Sequence, residues 1–159
     1  MDDIAIARAI HVLAVVVWIG GVAMVTTVIL PLLRRTPPGK ERLALFEAVE
    51  RRFIWQARIA TLLVAASGFY IVATLDLWDR FRSLDFWWMH AMVCLWLVFT
   101  LILFVGEPLI IHRWMARRAL TRSDSTFAVL HYLHWVLLAL GLATVFVAVA
   151  GSHGMQLVP

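Results

Sequence analysis

The stretch of sequence that decides the fold is residues 9–33, AIHVLAVVVWIGGVAMVTTVILPLL, which contain no Asp, Glu, Lys or Arg. A helix needs about 20 predominantly apolar residues to cross the hydrocarbon core of a bilayer, and this run has 25. The run follows the acidic residues Asp2 and Asp3 and ends in Leu-Pro-Leu-Leu-Arg-Arg, which is not typical of a cleaved signal peptide. We therefore expect it to be a membrane span.

Three further apolar runs follow along the chain. They are residues 53–75, interrupted only by Arg58, residues 86–111, interrupted only by Glu107, and residues 127–150, which carry no formal charge. Because lipid offers no hydrogen-bond partner to the backbone, such long runs must be helical. The sequence predicts an all-α integral membrane protein, a four-helix transmembrane bundle that forms one domain over residues 1–159. A short amphipathic helix from Arg42 to Arg52 is expected to lead into the second span.

The composition supports a membrane protein. Of the 159 residues, 63% are hydrophobic and 15% are charged, whereas soluble domains have about 45–50% and about 25%. So short a chain cannot bury the excess, and part of it must face lipid. This excludes a soluble enzyme, a nucleic-acid-binding module and a disordered chain. The single cysteine, Cys94, excludes an internal disulfide and a CxxC zinc site.

The distribution of basic residues predicts the orientation of the spans. Three basic residues lie in the N-terminal segment and the second connection, and Arg58 lies inside a span. Basic residues are enriched in cytoplasmic loops. We expect the first and third connections to be cytoplasmic and both termini to be periplasmic, in a bacterial-type inner membrane. The ten basic residues of these two connections are Arg34, Arg35, Lys40, Arg42, Arg51, Arg52, Arg113, Arg117, Arg118 and Arg122.

Six histidines are the unusual polar feature of the chain. Ionisable residues within membrane helices are costly and usually face the interior of the bundle, so they are candidates for function. Their positions divide them into an outer group and an inner group. The outer group is His11, His90 and His153, and the inner group is His112, His131 and His134.

His11 and His90 lie one to two turns inside two spans that run in the same direction, which predicts a matched depth. Two imidazoles at one level of a bundle can supply both axial ligands of a haem. The alternative is that they are structural polar residues. A second alternative is a Cu(I) site, in which Cys94 joins His11 and His90, because Cys94 follows His90 by one helical turn and thiolate suits copper.

The first span resembles that of a known family. His11-Val-Leu-Ala-Val-Val-Val-Trp18-Ile-Gly20-Gly21 is similar to the first helix of the CopD-like (copper-resistance D) membrane proteins and of the related HemJ-type protoporphyrinogen oxidases, small four-helix proteins that bind haem b. The third span, from Trp88 to Met92, is similar to the Trp-Leu-His-x-Lys pattern of the HemJ type. The resemblance implies that His11 and His90 are haem ligands and that Trp18 and Gly21 belong to the cofactor site. Met92 stands where the HemJ pattern has a functional Lys, so the cation for porphyrinogen oxidation is missing.

These observations favour a b-type haem protein with a redox or electron-transfer role, whose haem lies between His11 and His90. The alternatives are a copper-handling protein of CopD type, HemJ-like protoporphyrinogen oxidation, and a non-catalytic scaffold or assembly factor. Whether the protein is an enzyme stays open, with a membrane oxidoreductase as the candidate class. The expected partners are the lipid bilayer and a quinone or another redox partner, a homo-oligomer is left open, and nucleic acid is excluded.

A second group of polar residues lies in the inner half of the bundle. Arg58, Glu107 and His134 are expected at depths that agree within about one helical turn. One hypothesis is an ion pair between Arg58 and Glu107 that joins spans two and three, with Pro108 loosening the helix after it. The other is a cofactor, quinone or proton site that also uses His131.

Overall fold

The computed structural model describes residues 2–111 and 123–154, which form helices and no strands. A π-helical segment at Val25–Ile29 joins the first two helices, and a second at Ile102–Ile111 follows the fourth. The third connection, with its arginines and His112, lies outside the described residues. The α-helices are α1 (Asp2–Met24), α2 (Leu30–Arg35), α3 (Lys40–Thr74), α4 (Trp87–Leu101) and α5 (Ser123–Ser152).

Four helical stretches are long and apolar enough to cross a membrane, which confirms the predicted all-α fold with four spans. These stretches exceed the uncharged runs because a helix continues through the polar residues at either end of the apolar part. The predicted amphipathic helix from Arg42 to Arg52 is accordingly the first part of α3 and runs into the second span. The four stretches are Asp2–Arg35, Lys40–Thr74, Leu84–Leu109 and Asp124–Ser152.

The outer surface of the described helices is apolar, as a lipid environment requires. Leu13, Phe69 and Phe146 are each more than 60% exposed. The small polar side chains Thr26 and Thr61, in contrast, are fully buried and donate to carbonyl oxygens one turn earlier in their own helices. A surface of this kind is stable against lipid and would be costly in water.

The helices pack so that α1 lies between α3 and α5, and α4 also contacts α3 and α5. Trp18 of α1 meets Phe99 of α4 at the centre of the bundle, edge to face, with ring centroids 4.8 Å apart. A second buried cluster, around Leu30, Leu33 and Phe127, fills the half of the bundle that contains the 36–39 turn. We call this the inner half, and the half that contains the connection between α3 and α4 the outer half.

The turn between α2 and α3 is held by a buried arginine. Arg42 is 2% exposed, and its guanidinium donates to the carbonyl oxygens of Arg34 and Thr36, which end α2, and to Asp124 Oδ1 at 2.7 Å. These carbonyls have no partner within their own helix. Arg42 therefore ties the inner ends of α2, α3 and α5 together, a role that its position in a basic segment does not reveal.

Candidate functional site

His11 is held against α3 by two neighbouring residues. Its Nδ1 lies 3.0 Å from Ser67 Oγ, and its ring packs on Gly68, where a Cβ atom would come within 3.1 Å of His11 Cε1. The imidazole can lie this close to α3 only because residue 68 has no side chain. Nε2 of His11 has no hydrogen-bond partner among the described residues. Ser67 thus orients the ring and leaves one nitrogen available.

In His90 the other ring nitrogen, Nε2, is the one with a partner. Its Nε2 lies 3.0 Å from the carbonyl oxygen of Phe81, whose ring packs edge-on against the imidazole. Its Nδ1 is buried and has no partner in the described part of the chain. His90 therefore fastens the connection between α3 and α4 to the start of α4, and it also carries an unpaired nitrogen inside the protein.

The two histidines lie at nearly the same level of the bundle. The Trp18–Phe99 contact fixes the register of α1 against α4, which run in the same direction. His11 lies seven residues before Trp18, and His90 lies nine residues before Phe99. At 1.5 Å per residue their axial positions differ by about 3 Å, which is less than one turn. The contact register therefore agrees with the matched depth that the sequence predicts.

Trp18 and Gly21, the other two residues of the expected cofactor site, pack in the centre of the bundle. Trp18 is 3% exposed against Phe99, and its Nε1 has no partner among the residues described. A Cβ atom at Gly21 would lie 2.8 Å from the ring of Phe53. Gly21 is thus a close contact between α1 and α3, which a larger residue would disrupt.

The copper ligand set of His11, His90 and Cys94 is not gathered by the fold. Cys94 is on the exposed face of α4, although it follows His90 by one turn. Within residues 2–111 and 123–154, no three side chains of the His, Cys, Asp and Glu types lie close enough to hold one metal ion. The geometry therefore does not favour a Cu(I) centre with these ligands.

Arg58 and Glu107 form the predicted ion pair in the inner half. Arg58 Nη2 lies 3.0 Å from Glu107 Oε2, and the two side chains are 21% and 18% exposed. The guanidinium also lies over the rings of Trp55 and Phe104, at 5.8 and 5.5 Å from their centroids. Each charge in the apolar layer is thus neutralised by the other, which confirms the hypothesis of an ion pair between spans two and three.

Pro108 lies inside a π-helical segment, Ile102–Ile111, so the departure from α geometry extends to both sides of the proline rather than only after it. The helix changes to π geometry six residues before Pro108, at Ile102. In a π-helix the N–H of residue 108 would bond to the carbonyl of Leu103, and proline has no N–H. Arg58 fills this vacancy, because its Nε and Nη2 donate to Leu103 O at 3.1 and 2.9 Å. Arg58 therefore satisfies a backbone carbonyl as well as a carboxylate.

The first span repeats this arrangement with a histidine. Leu30 N–H bonds to Val25 O in π geometry, so the next bond in the series would join Pro31 to the carbonyl of Thr26. His131 Nε2 lies 3.0 Å from Thr26 O, and the indole N–H of Trp135 approaches the same nitrogen at 3.0 Å. His131 Nδ1 lies 3.2 Å from Arg34 Nη1. His131 thus contacts the backbone and the inner end of the first span, away from Arg58.

His134 borders a cavity of about 100 Å³ in the inner half of the bundle, to which all four spans contribute. Its Nδ1 donates to the carbonyl oxygen of Leu130 in its own helix, 2.9 Å away. Glu107 and Trp18 also border this cavity. The polar residues expected together in the inner half are therefore in two places. His134 and Glu107 border the cavity, while His131 contacts the first span.

Glu50 is a cavity residue that the sequence analysis missed. It lies in the predicted amphipathic helix from Arg42 to Arg52, yet it lines the same cavity as Glu107. The signal is helical spacing, since Phe46, Glu50, Ile54 and Ala57 follow one another at intervals of three or four residues and all line the cavity. Once α3 is known to be continuous, this spacing places Glu50 on its buried face.

Comparison of the chain with protein-family models, with curated proteins and with solved structures found no match.

Proposed function

We propose that the protein is a membrane b-type haem protein with an electron-transfer role, and that its haem lies in the outer half between His11 and His90. The observation that carries this proposal is the common level of the two histidines on helices that run in the same direction. The resemblance of residues 11–21 to the haem-binding CopD-like and HemJ-type helices adds support.

The residues around His11 fit a haem ligand. A ligating imidazole usually has its second nitrogen bonded to a neighbouring group, which fixes the ring and its tautomer. Ser67 does this at Nδ1 and leaves Nε2 for the iron. Gly68 gives the ring room beside α3. Haem held in this way would supply reversible one-electron transfer between ferric and ferrous iron.

His90 fits the same role on one condition. The condition is that the iron binds Nδ1, which is the unpaired nitrogen. Nε2 carries the hydrogen and donates it to Phe81 O. A buried polar atom without a partner is unusual in a native fold, and ligation would remove that cost. Alternatively, rotation of the ring would release Phe81 and present Nε2.

The orientation of the spans decides on which side of the membrane the proposed haem lies. With ten basic residues in the first and third connections, we propose that the protein spans a bacterial-type inner membrane with both termini in the periplasm. The haem would then lie nearer the periplasmic surface, where a soluble or membrane-bound redox partner can approach it.

The direct test is the optical spectrum of the purified protein. We expect the reduced-minus-oxidised difference spectrum to show the bands of a b-type haem, either as isolated or after addition of haem. A protein that stays colourless after such reconstitution, although it is folded and monodisperse, would contradict the proposal. Metal analysis of the same sample separates haem iron from copper.

A further inference from the structure

The cavity in the inner half has apolar walls and a small number of polar groups. Most of its lining consists of aliphatic and aromatic side chains, such as Phe46, Phe53 and Leu130. A single water needs roughly 10–15 Å³ of such space, so a cavity of about 100 Å³ is large enough for a ring-sized group. Walls of this kind hold water poorly and favour an organic ligand.

Three titratable side chains border the cavity. Glu50 has no hydrogen-bond or ion-pair partner within the described ranges, Glu107 is paired with Arg58, and His134 has a free Nε2. Glu50 comes from α3, Glu107 from the π-helical segment after α4, and His134 from α5. Acceptors and proton carriers thus reach one space from three different elements.

Trp18 adds a donor to the same cavity. Its side chain borders the cavity and is only 3% exposed. Its indole N–H has no acceptor in the described part of the chain. A buried indole N–H usually finds a partner. An acceptor oxygen on a ligand in the cavity would satisfy it, whereas an acyl chain would not.

We propose that this cavity binds the head group of a lipid-soluble quinone, and this proposal rests on the electron-transfer function above. A quinone head group is a flat, mainly apolar ring with two carbonyl oxygens. Its ring matches the apolar walls and its size matches the cavity. In the quinone form, one oxygen can accept from the Trp18 N–H and the other from a protonated Glu50. In the quinol form, the hydroxyl groups can donate to the Glu50 carboxylate and to His134 Nε2.

Oxidation of a quinol in this position needs two proton acceptors and a path for two electrons. Oxidation of one quinol breaks two O–H bonds and releases two protons and two electrons. Deprotonated Glu50 and neutral His134 can accept the two protons. The electrons would leave one at a time through the single proposed haem, which a one-electron redox partner would reoxidise between the two transfers. Trp18 and Phe99 fill the space between the cavity and the histidines, since Trp18 lies seven residues, or about 10 Å, further in than His11.

The test is binding of a short-chain quinone to the purified protein in lipid nanodiscs. We expect Glu50→Leu and Trp18→Phe each to weaken binding about tenfold, the loss expected for one buried hydrogen bond worth about 1.4 kcal/mol. Glu41→Leu is the matched control, because Glu41 is exposed near the start of α3 and does not border the cavity. It should leave the dissociation constant unchanged. Trp18→Phe keeps an aromatic ring against Phe99, so it tests the donor even if Glu50→Leu fails to fold.

The outcomes separate this inference from the proposed function. Unchanged binding in both cavity variants, or displacement of the quinone by an alkyl chain without carbonyl groups at the same concentration, would overturn the quinone site. A protein that contains haem but binds no quinone would overturn this inference alone. A protein that binds quinone with the expected losses in the variants but takes up no haem would support the quinone site and overturn the haem function.

Discussion

At the scale of single residues, Gly68 is the position on which the geometry of His11 depends. A methyl group at residue 68 would lie 3.1 Å from His11 Cε1, so the ring must move by a few tenths of an ångström. Gly20 is the matched control, because a Cβ atom there has no neighbour within 4 Å. Both changes add the same helix-forming side chain to a glycine within a helix.

We therefore expect Gly68→Ala to have a free energy of unfolding about 1 kcal/mol below that of Gly20→Ala, the lower range for overpacking a tight site. Thermal unfolding of the two variants in the same detergent measures this difference. The haem content of Gly68→Ala should also fall below that of Gly20→Ala. Equal stability and equal haem content in the two variants would show that His11 does not depend on its contact with residue 68.

The sequence predicts individual residues unequally well. The ion pair of Arg58 and Glu107 is predictable because a lone charge in an apolar layer is costly and few partners exist at that depth. The contacts of His90 are not predictable, because its partner is a backbone carbonyl in the second connection. Glu50 is hidden by its charged neighbours, because a carboxylate next to Arg51 and Arg52 is expected on the polar face of the amphipathic helix.

At the scale of secondary-structure elements, two spans contain a π-helical segment. A proline lies inside one segment and two residues after the other, and in each span a neighbouring side chain contacts the carbonyl that the proline leaves unpaired. Arg58 donates to Leu103 O, and His131 lies within hydrogen-bond distance of Thr26 O. The apolar runs predict the spans but not these segments. A π-helical turn has little stability by itself. Here side chains from other helices contact it, and the sequence near the turn does not predict those contacts.

The Arg58–Leu103 contact predicts a dependence between two substitutions. Pro108→Ala restores an N–H and lets the helix satisfy its own carbonyl groups. Arg58→Met should therefore destabilise the protein by about 1 kcal/mol less in the Pro108→Ala background than in the wild type. Unfolding free energies of the two single variants and the double variant measure this coupling.

Pro37→Ala is the matched control for Pro108→Ala, because Pro37 lies in the exposed turn before α3 and contacts no unpaired carbonyl of α4. Its combination with Arg58→Met should be additive. Additivity of Pro108→Ala with Arg58→Met as well would mean that Arg58 acts only through Glu107.

At the scale of the whole molecule, the four spans follow from the four apolar runs, while the orientation rests on the positions of the basic residues. A reporter fused after Pro159 is expected to be active only as a periplasmic enzyme, and one inserted at Gly39 only as a cytoplasmic enzyme. Both positions lie outside the apolar runs, so neither insertion interrupts a span. The opposite pattern at both positions would show that the protein has the inverse orientation, with the proposed haem in the cytoplasmic half of the membrane.

The central claim is that one haem is bound by His11 and His90, and the most direct measurement is the spin state and haem content of single-histidine variants. With two imidazole ligands the wild type should contain one six-coordinate, low-spin haem per chain. We expect His11→Ala and His90→Ala each to lose haem or to convert it to a high-spin form, while His153→Ala, at an exposed outer position, keeps the wild-type spectrum. If His11→Ala and His90→Ala retain the wild-type haem content and the low-spin spectrum, the assignment of these ligands is wrong.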